Sequence, residues 1–421
     1  MNIKKYLLLF LCLPYFMQAK TITISRLTCE MQEGLVVVEG SPRLGWVMES
    51  PENGTRQSAY EIDIREAFTG RSVWNSGKVY STQSQLVSIE GADIRPDNPF
   101  NYSWRVRVWD ETDAPSEWSR EAKFRSASSR LSEGKWIGAI TRQNAHLPEG
   151  RKFHGGELKK PEVKAAWEAV DTLAKKSICL RRTFQVGDRT EGNTNRQSGK
   201  KIVEATAYVC GLGFYEFSLN GKKVGNSEFA PLWSDYDKTV YYNTYDVTEQ
   251  LRHGENAVGI LLGNGFYNVQ GGRYRKLQIS FGPPTLLFEL VINYEDGTST
   301  TLRSDNDWKY DFSPVTFNCI YGGEDYDARR EQKGWNQVGF DDSHWRPVVI
   351  QEAPKGILRP QMAPPVKIME RYDIQKVTKL NAEQVASASV STKRTVDPSA
   401  FVLNMGQNLA GFPEITVRGK R

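Results

Sequence analysis

Histidine is scarce in this chain: four residues in 421. None follows a G-x-S-x-G turn, so a Ser-His-Asp hydrolase is not indicated. Five cysteines are spread without any C-x-x-C spacing, which argues against a zinc framework. Beyond the first 16 residues no stretch is apolar enough to cross a bilayer, and no membrane span is expected. The formal net charge is only +5. Without a basic stripe there is no footprint for nucleic acid, and short basic runs such as Lys200-Lys201 read as solvated loop. The closely spaced glycines of LGNGF lack the later glycine and helix of a dinucleotide fingerprint.

What is abundant is aromatic residues and turn formers. Eleven Trp, 18 Tyr and 18 Phe stand beside 35 Gly and 19 Pro, a composition that favours an all-β chain of sandwiches. The length suits about two to four domains. Residues 1–19 read as a signal peptide, with Lys4 and Lys5 before the apolar run Tyr6 to Phe16 and a small residue at Ala19. Secretion or a periplasmic address follows. Bulky Phe10 and Leu11 before Cys12 disfavour a lipoprotein cut. The other cysteines, Cys29, Cys179, Cys210 and Cys319, read as buried free thiols rather than staples, since large domains do not need them.

Residues 20–127 show short alternating strands, among them PRLGWVMES, SAYEIDIREA and YSWRVRVWD, punctuated by PENG, RPDNP and DETDAPS. That spacing predicts an immunoglobulin- or fibronectin III-like sandwich with Trp46, Tyr60, Trp104 and Trp109 in its core and rim. A second β domain runs over 128–353 and holds an insertion at 143–177. Within the insertion Pro161 opens a segment whose Val163, Ala166, Trp167, Val170 and Ala174 recur at helical spacing, predicting a short amphipathic helix. His146 and His154 lie there without a carboxylate cluster and read as solvated. Pro354, Pro360, Pro364 and Pro365 make an extended connector. The remaining strands, to 421, read as the start of a further sandwich. About fifty-five residues are too few to bury a core of their own.

The centre of the chain is Tyr208 to Thr248. Tyr215, Phe217 and Leu219 alternate with polar residues, then Asn220-Gly221 supplies a hairpin turn, as Asp296-Gly297 does later. The runs GLGFYEFSLNGKKVG, PLWSDYDKTVYYNTYDVT and LLGNGFYN, followed by IYGGEDYDARRE and NMGQNLAGF, resemble the N-terminal portion of bacterial α-L-rhamnosidases. The resemblance spans most of the chain. It implies a fibronectin III-like domain, a jelly roll and then the first strands of a β domain. It also implies that the catalytic helical barrel, which in the family follows these motifs and supplies acid and base, is absent from this sequence. No catalytic residue carries over. The partners implied are rhamnose-containing glycans or glycosides and that C-terminal catalytic domain.

The residues leave three chemistries open. Trp233, Asp235, Tyr236, Asn264, Phe266, Tyr267 and Glu324 are the types that hold sugars: aromatic faces for C–H surfaces, amides and carboxylates for paired hydroxyls. Asp235, Glu324, Asp325 and Asp327 are oxygen ligands of the kind calcium prefers, though they match no defined calcium loop; otherwise no cofactor is implied. These carboxylates together with Asp237 could form a small active site in the loops, or Asp327 could pair with Arg329 or Arg330 while the rest cap turns. An adhesion module without sugar chemistry is a further reading.

Overall fold

The computed structural model describes residues 22–95, 101–127, 130–147, 152–187, 200–270, 277–392, 396 and 400–416. The signal peptide read at 1–19 lies outside them. The chain divides into two compact units, one of residues 1–225 with 229–365 and the other of 226–228 with 366–421. The first is built mainly of strands, and no described helix is long and apolar enough to cross a membrane.

The first unit holds two sandwiches. In the N-terminal one, Thr23–Cys29, Arg43–Glu49 and Val87–Ser88 form one sheet, and Val36–Val38, Ala122–Ser126, Tyr102–Trp109, Ala59–Glu66 and Ser72–Asn75 the other. Alternate residues Leu44, Trp46, Ile62, Ile64, Trp104, Val106 and Phe124 fill the space between, as the period of two requires. Trp109 is buried at the rim, with the Arg107 guanidinium 5.0 Å and the Lys78 ammonium 4.7 Å from its ring.

The second sandwich has larger sheets. One runs Val349–Ile350, Ile137–Gly138, Thr285–Tyr294, Ile202–Leu212, Thr239–Asp246 and Ile357–Pro360; the other runs Lys222–Lys223, Tyr215–Leu219, Gly254–Leu262, Ile178–Val186, Lys309–Phe312 and Arg346–Pro347. Their facing residues, such as Ala205, Ala207, Val209, Phe217, Ile260 and Phe288, make the main core. Ile202–Leu212 is buried on both faces, because Tyr208, Cys210 and Leu212 join a second cluster that reaches Val37 of the first sandwich. Hence the sequence AYVCGL runs apolar without alternating. Asn220 (φ 52°) and Gly221 (φ 81°) make the turn between Tyr215–Leu219 and Lys222–Lys223. The helix expected over Pro161 to Lys176 covers only Pro161–Glu168, with a separate turn at Thr172–Lys175; Val163 and Trp167 still pack with Val170, Ala174 and Ala145 in a small core of their own. Cys29, Cys179, Cys210 and Cys319 are all buried free thiols.

The proline-rich stretch is not a free connector. Ile357–Pro360 pairs in parallel with Thr239–Asp246 at the sheet edge, where proline is tolerated. Gln361 accepts hydrogen bonds from Leu232 N at 2.9 Å and Asn243 Nδ2 at 3.0 Å. Prolines preset the extended backbone an edge strand needs, so one composition serves both roles.

In the second unit the hairpin of Lys376–Lys379 and Phe401–Asn404 accompanies a helix, Ala382–Thr392, where the sequence reading had strands alone. The missed signal is a reciprocal capping box: Gln384 N donates to Asn381 Oδ1 at 2.9 Å and Asn381 N to Gln384 Oε1 at 3.0 Å.

Two carboxylates tie pH to this fold. Burial works against the charge on Asp246, but the Lys123 ammonium and Thr248 prevail and hold its pKa below the ordinary value. Asp110 is likewise lowered, the Thr112 and Ala114 hydrogen bonds outweighing burial. A carboxyl depressed in the folded state stabilises above the unfolded value, about 3.9, and that contribution is lost as pH falls through the folded value. The urea midpoint should therefore drop as pH falls from about 4 toward 2, with part of that drop missing in Asp246→Asn.

Candidate functional site

Two G-x-G-F runs build one end of the second sandwich: Gly211 to Phe214 and Gly263 to Phe266. They cross backbone on backbone. Gly213 has φ 125°, and a Cβ there would stand 2.0 Å from the Gly263 carbonyl oxygen. At Gly265 (φ 52°) a Cβ would meet Phe214 N at 2.7 Å. Gly263 N donates to Phe214 O at 2.8 Å. These glycines allow close chain approach.

The crossing presents the two phenylalanines edge to face, 5.9 Å apart. Trp233 stacks on Phe266 at 5.1 Å and 24°, and Tyr321 meets the same ring edge-on at 6.0 Å. Phe229, itself at φ 54°, packs on Phe214 at 5.6 Å. Trp233 is 62% exposed, Phe229 51% and Tyr321 48%. Three large aromatics left open side by side form an apolar platform of the kind that marks a contact surface. Phe214, Phe229 and Tyr321 do not stand out in the sequence; the repeated G-x-G-F is the available signal.

The other predicted residues fall elsewhere. Asn264 is wholly buried. Its side chain donates to Lys175 O at 3.0 Å and accepts from Asn268 Nδ2 at 2.8 Å, while Asn318 Oδ1 accepts from its backbone N at 2.8 Å. It pins the insertion to the loop and offers no surface to a sugar. Tyr236 and Tyr267 are also buried, 5.0 Å apart and edge to face, and burial pushes the Tyr236 phenol up. They back a cleft of about 320 Å³ shared with Arg142, Phe281, Thr285 and Gln351. Arg142 and Tyr267 OH both donate to Phe281 O, at 2.7 and 3.2 Å.

The carboxylates are mostly structural. Asp235 forms a turn, accepting at its backbone carbonyl from Lys238 N and Thr239 N, with its side chain 3.2 Å from Lys238 Nζ. Asp327 caps a single helical turn and takes a bidentate pair from Arg329 at 2.8 and 2.9 Å, which with neighbouring Arg330 holds its pKa down at about 2. Asp325 and the exposed Glu324 lie in the strand Gly323–Tyr326. Among the described residues no three His, Cys, Asp or Glu side chains gather closely enough to hold a metal ion, so the four calcium candidates do not form a ligand set. Of the described carboxyls with a clear shift, Glu204 is the one raised, chiefly by burial. It is 5% exposed and paired with Arg125 at 2.8 Å, which makes it a structural carboxylate.

Residues 200–370 match the α-L-rhamnosidase N-terminal domain, and residues 24–129 the Rha78A-like N-terminal immunoglobulin domain. The chain carries the N-terminal domains of the α-L-rhamnosidase family. An α-L-rhamnosidase of Formosa agariphila is 33% identical over 399 residues, covering 92% of this chain and 38% of the relative. One from Streptomyces avermitilis is 28% identical over 525 residues, covering 92% and 49%. The chain thus spans less than half the length of these curated relatives. Among solved rhamnosidases, that of Dictyoglumus thermophilum superposes with a TM-score of 0.62 at 28% identity, over 86% of this chain and 38% of its own. The Streptomyces avermitilis enzyme complexed with L-rhamnose gives 0.65 at 25%, over 85% and 48%. These rhamnosidase domains account for the β architecture without placing a sugar on it.

Proposed function

We propose that this chain is the non-catalytic N-terminal portion of a secreted α-L-rhamnosidase-type glycoside hydrolase acting on terminal α-L-rhamnose, and that its aromatic platform contacts rhamnose-containing glycans. The observation that carries the reading is the stack of Trp233 on Phe266 beside Tyr321, open to solvent at the loop end. A pyranose offers an apolar C–H face, and an exposed flat aromatic is its natural partner. Two carboxyl groups flanking a bond, about 6.5–9.5 Å apart for inversion, are what hydrolysis would add. Asp235 and Asp327 are instead occupied, the one with a turn and Lys238, the other with Arg329. Acid and base are therefore assigned to another part of the enzyme.

Calorimetric titration of the chain with a rhamnose-containing polysaccharide tests the platform. Trp233→Ala should weaken binding at least about tenfold, equal to about 1.4 kcal/mol. Unchanged affinity in that variant would sink the platform reading. Turnover of 4-nitrophenyl α-L-rhamnoside by the pure chain, lost in Glu324→Ala, would overturn the non-catalytic one.

A further inference from the structure

The outer face of the second sheet holds a pocket that the platform does not use. Ile178 and Leu180 of Ile178–Val186 point into the core, so Cys179 and Arg181 point away from it. A loop over residues 332–345 covers this face. Arg181 is 2% exposed, donates to Gln337 O at 3.0 Å, pairs with Asp342 and lies 5.4 Å from the Phe340 ring. Trp335 and Asn336 sit on Gly259, where a Cβ would come within 2.9 and 2.5 Å of them. Trp345 stacks on Trp335 at 6.0 Å and 25°. Its Nε1 donates to Gln332 Oε1 at 2.9 Å, Gln332 Nε2 donates to Asp311 at 2.7 Å, and Arg346 holds Asp311 from the other side at 2.6 Å. Trp345 is fixed by this chain of hydrogen bonds, and Trp335 by stacking on it and by its seat on Gly259, before any ligand arrives.

Beneath them is a cavity of about 270 Å³. Phe312, Tyr326, Trp335 and Trp345 line its aromatic part. Cys179, Leu261 and Pro314 give an apolar part, and burial keeps the Cys179 thiol protonated. Glu331, Lys333 and Asn336 add hydrogen-bonding groups; Glu331 and Lys333 are exposed. We infer that this pocket is a second saccharide site, taking a single 6-deoxyhexose ring with its methyl edge against Leu261 and Pro314 and its hydroxyl edge toward Asn336, Glu331 and Lys333. The cavity falls just under the about 300–1,000 Å³ of ordinary small-molecule clefts, so it suits one ring rather than a chain. Preset aromatic walls lower the ordering cost of binding a weak ligand. The choice of a deoxyhexose rests on the proposed role in rhamnoside recognition; the pocket itself does not.

Saturation-transfer NMR on the full chain tests this with L-rhamnose, with L-mannose as its 6-hydroxy counterpart, and with 4-nitrophenol. Transfer to the rhamnose methyl should persist in Trp233→Ala and fall at least about threefold in both Tyr326→Ala and Lys333→Ala. Tyr326 is 54% exposed and Lys333 is at the surface, so neither change should unfold the sheet. L-mannose should give markedly weaker transfer. Equal transfer from L-mannose overturns the deoxyhexose assignment. Loss in Trp233→Ala without change in the other two variants leaves the platform as the sugar site and removes this one. Transfer from 4-nitrophenol that depends on Tyr326, with none from rhamnose, makes the pocket an aryl site. Silence toward rhamnose in the unmodified chain removes both readings.

Discussion

Arg125→Ala is expected to lower the free energy of unfolding of the first unit by about 3–5 kcal/mol. Arg125, on the last strand of the N-terminal sandwich, donates to Glu204 Oε1 at 2.8 Å, and Asn101 N donates to Glu204 Oε2 at 3.0 Å. Both charged side chains are 5% exposed. Removing the guanidinium leaves a carboxylate buried between two sandwiches without its cation. The cost is that of an uncompensated charge rather than the net worth of the pair, which is smaller. Lys123–Asp246 at 2.8 Å and Arg359–Glu39 at 2.7 Å also bridge the sandwiches, but these more exposed pairs contribute less than the buried one.

A pH signature separates this mechanism from simple loss of packing. Burial already raises Glu204, with Arg125 opposing it; without Arg125 the folded value rises further. A carboxyl raised in the folded state costs stability as pH climbs from the unfolded value, about 4.3, to the folded one. The deficit of Arg125→Ala should therefore be largest near neutral pH and shrink toward pH 4. Chemical denaturation at several pH values measures this. A pH-independent deficit would assign the effect to lost packing instead.

Gly213→Ala should cost about 3 kcal/mol or more, from overpacking and backbone strain together. The methyl would stand 2.0 Å from the Gly263 carbonyl oxygen, a backbone atom that cannot swing aside, and φ 125° disfavours any side chain. To relieve the clash the two G-x-G-F runs must part, which separates Phe214 from Phe266 and unseats Trp233. The variant should thus lose thermal stability and glycan binding together, whereas Trp233→Ala should lose binding alone. Comparing melting temperature and calorimetric affinity across the pair checks this. A Gly213→Ala protein with unchanged melting temperature would show that the runs do not depend on their close approach.

The contrast between these residues shows what could be read in advance. Turns and core strands were legible because their physics is local: Asn220-Gly221 takes left-handed backbone angles cheaply, and Trp46 or Phe217 follows from a period of two. The helix at Pro161 was legible for the same reason. Ala382–Thr392 is not legible in the same way although its Asn-x-x-Gln box is present, since strand-like neighbours on either side dominate the pattern. The site was legible as residue types but not as an arrangement. Trp233 and Phe266 stand at its centre, while Asn264, Tyr236 and Tyr267, equally apt for sugar on paper, are buried as pins and backing.

The amino-acid order by itself determined the all-β class, the two sandwiches that match rhamnosidase N-terminal domains and the loops on which aromatics gather. Only the tertiary structure decided which aromatics stay open, that prolines Pro354 to Pro360 feed an edge strand, and that Arg125 meets Glu204 across 79 residues. Period and turn chemistry act between neighbours in sequence. Exposure and ion pairing depend on which distant segments come to lie against one another.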